Sequence, residues 1–298
     1  MVLAGPTASG KTALAEALAR EFPLSLISAD SQQVYRGLDI GTSKPDLSTR
    51  GRWSLVDVAD LGSPFSAGEF CRLAAAACEK AWAAGQVPLL CGGTGLYLKA
   101  LLEGLVELPP VPQEIRAALE REWKEQGLEA LLRRLDAADP ALAATLDRAN
   151  PRRVLRALEV FEGTGRPLSD WQVSATRPFL VPERSLWLGL DPGREALALR
   201  ITQRADQCLR DGWLNEVREL AARHGDGALK ACAAIGYPEL LDHVRGRMGL
   251  AEAREAILGR TRAYARRQGT WFRAQAGIQW ATQGKPLSGQ ARSFLAEA

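Results

Sequence analysis

The 298-residue sequence has only two histidines and five cysteines, with no CxxC pair among them. A zinc site or a disulfide framework is therefore disfavoured, and we expect the cysteines to be reduced core residues. The charges nearly cancel, with 38 Lys and Arg against 35 Asp and Glu, so total charge predicts no polyanion site. No stretch reaches the roughly 20 apolar residues of a membrane span, and Met1 leads directly into a candidate strand without room for a signal peptide. We expect a soluble, cytoplasmic protein with no membrane partner.

A glycine-rich loop near the start of the chain is the most informative motif present. It matches GxxxxGK[ST] and consists of Gly5, Pro6, Thr7, Ala8, Ser9, Gly10, Lys11 and Thr12. In such loops backbone N–H groups converge on phosphate oxygens, the lysine adds positive charge, and the threonine hydroxyl can bind a Mg²⁺ ion that bridges the phosphates. An apolar segment precedes the loop and a strong helix former follows it, as the motif requires. The loop predicts a phosphorylated small-molecule ligand, with Mg²⁺ as cofactor.

Short apolar runs alternate with helical patterns over much of the chain. Runs at 24–29, 87–91 and 185–190 each end at polar or glycine-rich residues. Near-continuous apolar strands separated by helices are typical of a parallel sheet covered on both faces, which binds ligands at the carboxyl ends of its strands. Asp30 and Thr94 should then lie at the same edge of the sheet as the loop.

Proline-rich segments at 109–112 and 177–182 enclose a region without strand signals. We therefore predict an α/β fold in which a P-loop NTPase-like parallel sheet core carries an inserted all-helical domain. The core comprises residues 1–110 and 183–298, with only helices from about residue 192 onward. The insertion comprises residues 111–182.

Arginine is unevenly distributed although the net charge is small. Seven arginines accompany four acids between residues 148 and 184, and five arginines with no acid lie between residues 260 and 273. Tyr264 and Trp271 fall within the second cluster, and mixed basic and aromatic surfaces bind nucleic-acid backbones and bases. Either cluster alone is better explained as a solvated basic face. Together, in a phosphate-binding protein, they favour RNA or DNA as a partner.

Asp30 has two chemical explanations on spacing alone. An aspartate after an apolar strand of a P-loop protein can be an ordinary Mg²⁺ ligand. Alternatively it can be a general base, because a carboxylate at the strand edge can reach an acceptor in the same crevice as the phosphate ester.

Five sequence blocks, in order and over nearly the whole chain, resemble the tRNA dimethylallyltransferases. The blocks are residues 5–12, 30–45, 92–97, 234–237 and 261–273. These prenyltransferases modify N6 of the adenosine next to the tRNA anticodon. The chain departs from the family at residues 52–55, where a histidine-containing stretch is usual, and at Phe65, where tyrosine is common.

The resemblance implies transfer of a dimethylallyl group from dimethylallyl diphosphate to tRNA. It implies that Asp30 is the general base, that Thr94 lies beside the acceptor base, and that Arg218 helps the loop, Lys11 and Mg²⁺ on Thr12 to neutralise the leaving diphosphate. We expect a monomer, and ATP is a further candidate ligand of the loop.

The resemblance also implies a set of tRNA-binding residues. These are Asp30, Ser31, Gln32, Gln33, Thr94, Arg116, Arg152, Arg153, Val154, Leu155, Arg156, Ile235, Gly236 and Tyr237. Gln33 would hydrogen-bond a flipped adenine, and the four arginines would hold the anticodon stem-loop.

Three other functions would use some of the same residues. A small-molecule kinase would use the loop with Asp30 on Mg²⁺ but would not need a basic helical insertion. An adenylate isopentenyltransferase, which acts on a free nucleotide, would keep the core chemistry without the arginine clusters. A non-enzymatic RNA-binding module would not need Lys11, Thr12 and Asp30 at one edge.

Overall fold

The computed structural model describes residues 1–106, 108–173, 177–181, 184–232, 234–281 and 288–296, so the predicted boundary at 182–183 lies outside the described residues. The chain forms two compact units. The core unit comprises Met1–Leu102 and Phe179–Ala298, and the helical unit comprises Glu103–Pro178.

A six-stranded sheet organises the core unit. Its strands are β1 Val2–Ala4, β2 Leu24–Ser28, β3 Trp53–Ser54, β4 Val87–Gly92, β5 Trp187–Leu190 and β6 Ile278–Ala281. Neighbouring strands are parallel and follow the order β3-β2-β4-β1-β5-β6. Leu3 of β1 lies opposite Cys91 of β4 and Leu188 of β5, so the strand before the phosphate loop is central. The predicted parallel sheet is confirmed.

Helices account for most of the remaining described residues. In chain order they are α1 Lys11–Glu21, α2 Leu47–Arg50, α3 Ala67–Ala83, α4 Gly95–Glu103, α5 Gln113–Gln126, α6 Leu128–Ala138, α7 Pro140–Ala143, α8 Pro151–Thr164, α9 Leu168–Gln172, α10 Arg194–Arg210, α11 Trp213–Ala231, α12 Tyr237–Val244, α13 Leu250–Arg273 and α14 Ser288–Ala296. None of these helices is both long enough and apolar enough to cross a membrane.

The central strands are buried because helices cover both faces of the sheet. Leu3, Leu26 and Leu89 are fully buried, which is why these strands appear in the sequence as apolar runs. Cys71 and Cys91 are also buried, as free thiols.

The prediction of only helices after residue 192 was wrong at one place. β6 pairs in parallel with β5 at the edge of the sheet. Its residues are exposed or half-buried, with Gln279 exposed. An edge strand needs no continuous apolar run, so the pattern that identified the central strands did not detect it.

The helical unit has its own core, made by α5 to α9. Leu131, Leu135, Val154 and Leu158 are buried in one cluster. α8 has proline in its first turn and ends at Gly165 with φ of 69°, a left-handed conformation suited to glycine. The amphipathic pattern of α8 therefore places apolar residues inward and leaves a polar face outward.

Candidate active site

The phosphate-binding loop connects β1 to α1 at the carboxyl end of the sheet. Gly5 has φ of 150°, and a Cβ there would lie 2.5 Å from the carbonyl oxygen of Leu190, so the loop packs closely against the end of β5. Ala8 and Gly10 have φ of 62° and 98°. Such alternation of backbone conformation turns successive N–H groups toward an anion, and the N-terminus of α1 adds its positive dipole end.

Lys11 occupies the first turn of α1 and its ammonium reaches back over the loop. Its Nζ donates to the carbonyl oxygen of Pro6 at 2.7 Å and lies 3.4 Å from Ser9 Oγ. Burial lowers the pKa of Lys11 to about 8, and the nearby Asp30 charge opposes this shift. A bound phosphate would favour the charged form in the same way.

Two arginines of α10 contact the loop and were not among the site residues predicted from the sequence. Arg200 Nη1 donates to the carbonyl oxygen of Ser9 at 3.0 Å, and Arg204 Nη1 donates to Thr7 Oγ1 at 2.7 Å. Their spacing of four residues puts them on one helix face and was the available sequence signal. They bring two further positive charges to the phosphate site.

Arg218, the arginine assigned to the diphosphate by resemblance, has a different environment. It is exposed on α11, and its Nη1 donates to Asn215 Oδ1 at 2.8 Å. Among the described residues no contact joins it to the loop, so its role stays a prediction.

Asp30 and Thr94 follow neighbouring strands, and hydrogen bonds join the two turns. The N–H of Thr94 donates to the carbonyl oxygen of Ala29 at 3.2 Å, and the N–H of Ser31 donates to Thr94 Oγ1 at 3.0 Å. Asp30 Oδ1 accepts from the backbone N–H of Gln32 at 2.8 Å. The structure therefore brings together the predicted base and the predicted acceptor-site threonine.

Gln33, the predicted adenine contact, is hydrogen-bonded inside the protein. Its Oε1 accepts from Ser28 Oγ at 2.9 Å, and its Nε2 donates to the carbonyl oxygens of Thr42 and Ser43 at 3.3 and 3.2 Å. A base contact through this side chain would have to replace one of these bonds. The neighbouring Gln32 differs, because its buried Oε1 has no hydrogen-bond partner among the described residues.

Helix α13, which packs against α10, also contacts the loop. Gln268 Oε1 accepts from the backbone N–H of Thr7 at 2.8 Å, and its Nε2 donates to the carbonyl oxygen of Gly93 at 2.8 Å. Burial together with the Asp30 charge raises the pKa of Tyr264 to about 12, and the neighbouring Thr94 and Gln268 oppose this shift. Tyr264 is thus neutral at physiological pH and belongs to the site itself.

The arginines of α13 have several environments. Arg260 pairs with Glu239, Arg273 Nη1 lies 2.9 Å from Asp191 Oδ2, and the Arg267 guanidinium lies 5.8 Å from the centroid of the Tyr264 ring. A cavity of about 620 Å³ beside the loop is lined by Pro6, Arg194, Arg262, Arg266 and Arg273. Contact of this cluster with nucleic acid stays a prediction.

Three predicted tRNA-binding residues, Ile235, Gly236 and Tyr237, lie where α12 begins. Ile235 is half-buried, and Tyr237 is fully buried and donates its hydroxyl to Glu216 Oε1 at 2.7 Å. A Cβ at Gly236 would lie 2.1 Å from the Trp213 ring. The side chain of Tyr237 therefore packs inside the core unit, and any effect that it has on RNA binding must be indirect.

Glu216 also fixes the segment that follows Asp30. Its Oε2 accepts the backbone N–H groups of Asp39 at 3.1 Å and Ile40 at 2.8 Å. Buried Lys44 bonds Asp39 Oδ1 at 2.8 Å and Asp57 Oδ1 at 2.5 Å. Although burial raises it, the pKa of Asp39 is held below its usual value by hydrogen bonds from Lys44 and Arg50.

Both departures from the family pattern lie in ordered parts of the core unit. Trp53 forms β3 and is buried, and its Nε1 donates to Glu16 Oε1 at 3.4 Å. The ring of Phe65 meets Tyr97 edge to face, with centroids 6.4 Å apart. Both aromatic residues therefore make internal contacts.

The predicted RNA-binding arginines lie on the surface of the helical unit. Arg152 and Arg153 are exposed, and no ion pair involves either of them within the described ranges. Arg156 pairs with Glu159 at 3.0 Å and Arg116 with Glu120 at 3.0 Å. Their companions Val154 and Leu155 are instead buried in the core of this unit.

Mg²⁺ is the metal that the loop implies. Within the described part of the chain, no group of three or more His, Cys, Asp or Glu side chains could hold a metal ion. Mg²⁺ bound mainly through substrate phosphates needs only one or two protein oxygens. Thr12 at the start of α1 provides one such oxygen, so the residues present fit a phosphate-bound Mg²⁺.

A phosphate loop at the carboxyl edge of a parallel sheet, with a carboxylate at the end of another strand of the same sheet, defines a P-loop protein that acts on a phosphorylated substrate. The chain belongs to the IPP transferase family, which matches residues 33–275. Residues 1–50 also match the family described as Isopentenyl transferase. The family predicted from the motifs is confirmed.

Relatives and solved structures agree with this membership. The tRNA dimethylallyltransferase of Rhodopseudomonas palustris strain TIE-1 is 45% identical over 277 residues, which cover 92% of each chain. That of Geobacillus kaustophilus is 43% identical over 94% of this chain and 89% of its own.

Two solved structures cover 99% of this chain. The tRNA isopentenylpyrophosphate transferase of Bacillus halodurans matches with a TM-score of 0.68, 32% identity and 94% of its own length. A eukaryotic dimethylallyltransferase acting on tRNA matches with a TM-score of 0.78, 26% identity and 79% of its own length. The P-loop NTPase-like fold class is confirmed.

Proposed function

We propose that this protein transfers a dimethylallyl group from dimethylallyl diphosphate to N6 of the adenosine next to the anticodon in tRNA and releases diphosphate. The observation that carries the proposal is the position of the joined Asp30 and Thr94 turns beside the phosphate loop, where a Cβ at Gly93 would lie 3.3 Å from the carbonyl oxygen of Gly5. The names of the relatives, which act on tRNA, support the same reaction. A monomer acting in the cytoplasm is part of the proposal.

The loop would bind the diphosphate and stabilise it as it leaves. Charge grows on the diphosphate when the bond between its oxygen and the allylic carbon breaks. Lys11, Arg200 and Arg204 contact the loop and provide three positive groups, and the loop amides add hydrogen bonds. A Mg²⁺ ion held by the phosphates and Thr12 would supply further positive charge when bound.

Asp30 would act on the acceptor amine. The lone pair of an exocyclic adenine amine is delocalised into the ring, so the amine needs a base to remove a proton as the new carbon–nitrogen bond forms. The hydrogen bonds that Asp30 accepts from Gln32 and Gln33 both go to Oδ1. Within the described residues Oδ2 has no such partner, so it is the oxygen available to the amine proton.

The helical unit would hold the RNA. Arg152 and Arg153 are exposed and lack ion pairs among the described residues, and Arg116 pairs with the exposed side chain of Glu120 one helical turn away. These three side chains can turn to RNA phosphates at little cost. Arg156 is also exposed, but it pairs with the buried Glu159. Extrusion of the target base would give Asp30 access to an atom that is otherwise stacked.

Dimethylallyl diphosphate labelled in its prenyl carbons tests the proposal directly. The protein is incubated with the donor and, in separate reactions, with tRNA, with AMP, or with ATP and small-molecule kinase substrates. Label should appear only in tRNA and be released by nuclease digestion as N6-dimethylallyladenosine. Label on AMP, or phosphoryl transfer from ATP without prenyl transfer, would contradict the proposal.

A further inference from the structure

Gln268 connects the phosphate loop to the turn that carries Thr94. Its side-chain carbonyl accepts from Thr7 and its amide nitrogen donates to Gly93, each at 2.8 Å. Only 6% of Gln268 is exposed, so water does not substitute for these partners. Because one end accepts and the other donates, the two bonds require an amide in a single orientation.

The contact between Gln268 and Gly93 leaves no free space. A Cβ at Gly93 would lie 2.2 Å from Gln268 Nε2 and 3.3 Å from the carbonyl oxygen of Gly5. The Tyr264 hydroxyl lies close to both Gln268 and Thr94, which extends the connection toward the acceptor side. One buried amide thus lies between the loop that would hold the donor and the turn that would hold the acceptor.

We propose that Gln268 is a positioning residue that fixes the phosphate loop relative to the Thr94 turn. The Thr7 N–H that it binds is at the start of the left-handed turn through Ala8, so this bond sets the direction of the N–H groups that follow. The claim that Gln268 positions the Thr94 turn for the acceptor rests on the proposed function. The claim that Gln268 positions the phosphate loop can be tested by diphosphate binding alone, without tRNA.

Gln268→Glu tests this role because its charge state decides which bonds it can make. The ionised carboxylate can accept from Thr7 but opposes the Gly93 carbonyl oxygen, whereas the protonated acid can accept from one and donate to the other. Burial beside a carbonyl oxygen and the nearby Asp30 charge raise the pKa of the introduced carboxyl, and Arg204, which bonds the same Thr7, opposes part of this rise. The variant should therefore recover as the pH falls.

Steady-state kinetics and diphosphate binding are measured at pH 6 and pH 8 with Mg²⁺. Relative to wild type at the same pH, Gln268→Glu should lose about 10²-fold in kcat/KM for the donor at pH 8 and less than about tenfold at pH 6. Its Kd for inorganic diphosphate, measured by calorimetry without tRNA, should follow the same trend. Its Kd for tRNA should stay within about twofold, since the exposed arginines proposed to hold the RNA are unchanged in this variant.

Two further variants complete the test. Gln268→Met removes both bonds and should be impaired about equally at the two pH values. Gln203→Glu introduces the same carboxyl at an exposed glutamine of α10 and should match wild type throughout. The pH ratio within Gln268→Glu is a control for folding, because a variant that regains function at pH 6 has folded.

Each outcome supports or overturns the proposal. A Gln268→Glu protein with the same relative activity at both pH values, or a Gln268→Met protein with wild-type kinetics, would overturn it. Equal loss of activity by Gln268→Glu at both pH values, with a lowered Tm, would assign Gln268 to stability alone and would also overturn the proposal. If wild type transferred no prenyl group but diphosphate binding by Gln268→Glu still recovered at pH 6, the proposed function would fail and the positioning of the loop would stand.

Discussion

The phosphate site of the core unit and the arginine surface of the helical unit both suit phosphate, but they hold their charges differently. Lys11 bonds the loop that it serves, and burial lowers its pKa to about 8. Arg200 and Arg204 are likewise fixed by hydrogen bonds to the loop. Arg152 and Arg153 are exposed, and within the described residues neither has an ion pair.

This difference predicts two kinds of binding energy. Charges fixed in a partly buried site act at defined positions, so each one should matter greatly and tolerate little displacement. Exposed charges act together through the release of counterions, so their contribution is spread out and depends on salt. The core site therefore suits a small diphosphate ester, and the helical surface suits an extended RNA.

The largest expected effect comes from Asp30→Asn. It keeps the shape of the side chain but removes its basicity, so kcat should fall by about 10² to 10⁴ while the Kd values for tRNA and diphosphate stay nearly unchanged. Turnover and both Kd values are measured on the same preparation. Unchanged turnover would reject Asp30 as the base, and a collapse of diphosphate and Mg²⁺ binding would favour its role as a metal ligand.

Lys11→Met should be next in size and should affect only the donor. Loss of a charge-assisted contact to diphosphate should weaken donor binding by about 10 to 10². The Kd for tRNA should not change, and calorimetry with each ligand separately checks both. An equal loss for both ligands would indicate a misfolded loop, and no loss would remove Lys11 from the donor site.

The triple variant Arg152→Ala, Arg153→Ala and Arg156→Ala tests the helical surface. Each lost phosphate contact should make the slope of log K against log salt shallower by roughly 0.7 to 0.9 for tRNA. Diphosphate binding should be unchanged. Wild type and variant are titrated side by side with an isolated anticodon stem-loop over a salt series. Coincident lines would mean that these arginines do not contact RNA, and the α13 arginines would become the candidates.

The smallest expected effect is the pH dependence of diphosphate affinity. Because the pKa of Lys11 is lowered to about 8, the free protein loses this positive charge as the pH rises through that value. Diphosphate that binds at pH 9 must then return the proton to Lys11. This cost should weaken the affinity for diphosphate about tenfold relative to pH 7. Lys11→Met removes this contribution and leaves the titration of diphosphate itself. Identical pH profiles for the two proteins would contradict the assignment.

The sequence predicted the central sheet because burial on both faces leaves a visible apolar run. β2, β4 and β5 were predicted within two residues of their observed bounds for this reason. β3 has only two residues and β6 is an edge strand, so neither carries that signal.

The anion-binding chemistry of the loop was predictable because the groups that would contact phosphate are backbone N–H groups at fixed spacing in the chain. The roles of Gln268, Arg204 and Arg200 were not predictable, because their partners in the loop lie 261, 197 and 191 residues away along the chain. Only the folded chain shows which polar side chain reaches the loop. The same holds for Gln33, whose internal hydrogen bonds could not be inferred from the motif.

The single-turnover rate of prenyl transfer at saturating tRNA and low salt tests the central claim most directly, namely that the core unit does the chemistry and the helical unit holds the RNA. It is measured for wild type, Asp30→Asn and the triple arginine variant. The triple variant should react within about twofold of wild type, while Asp30→Asn should be slower by about 10² or more. A triple variant as slow as Asp30→Asn at saturation, or an Asp30→Asn protein at the wild-type rate, would contradict the account.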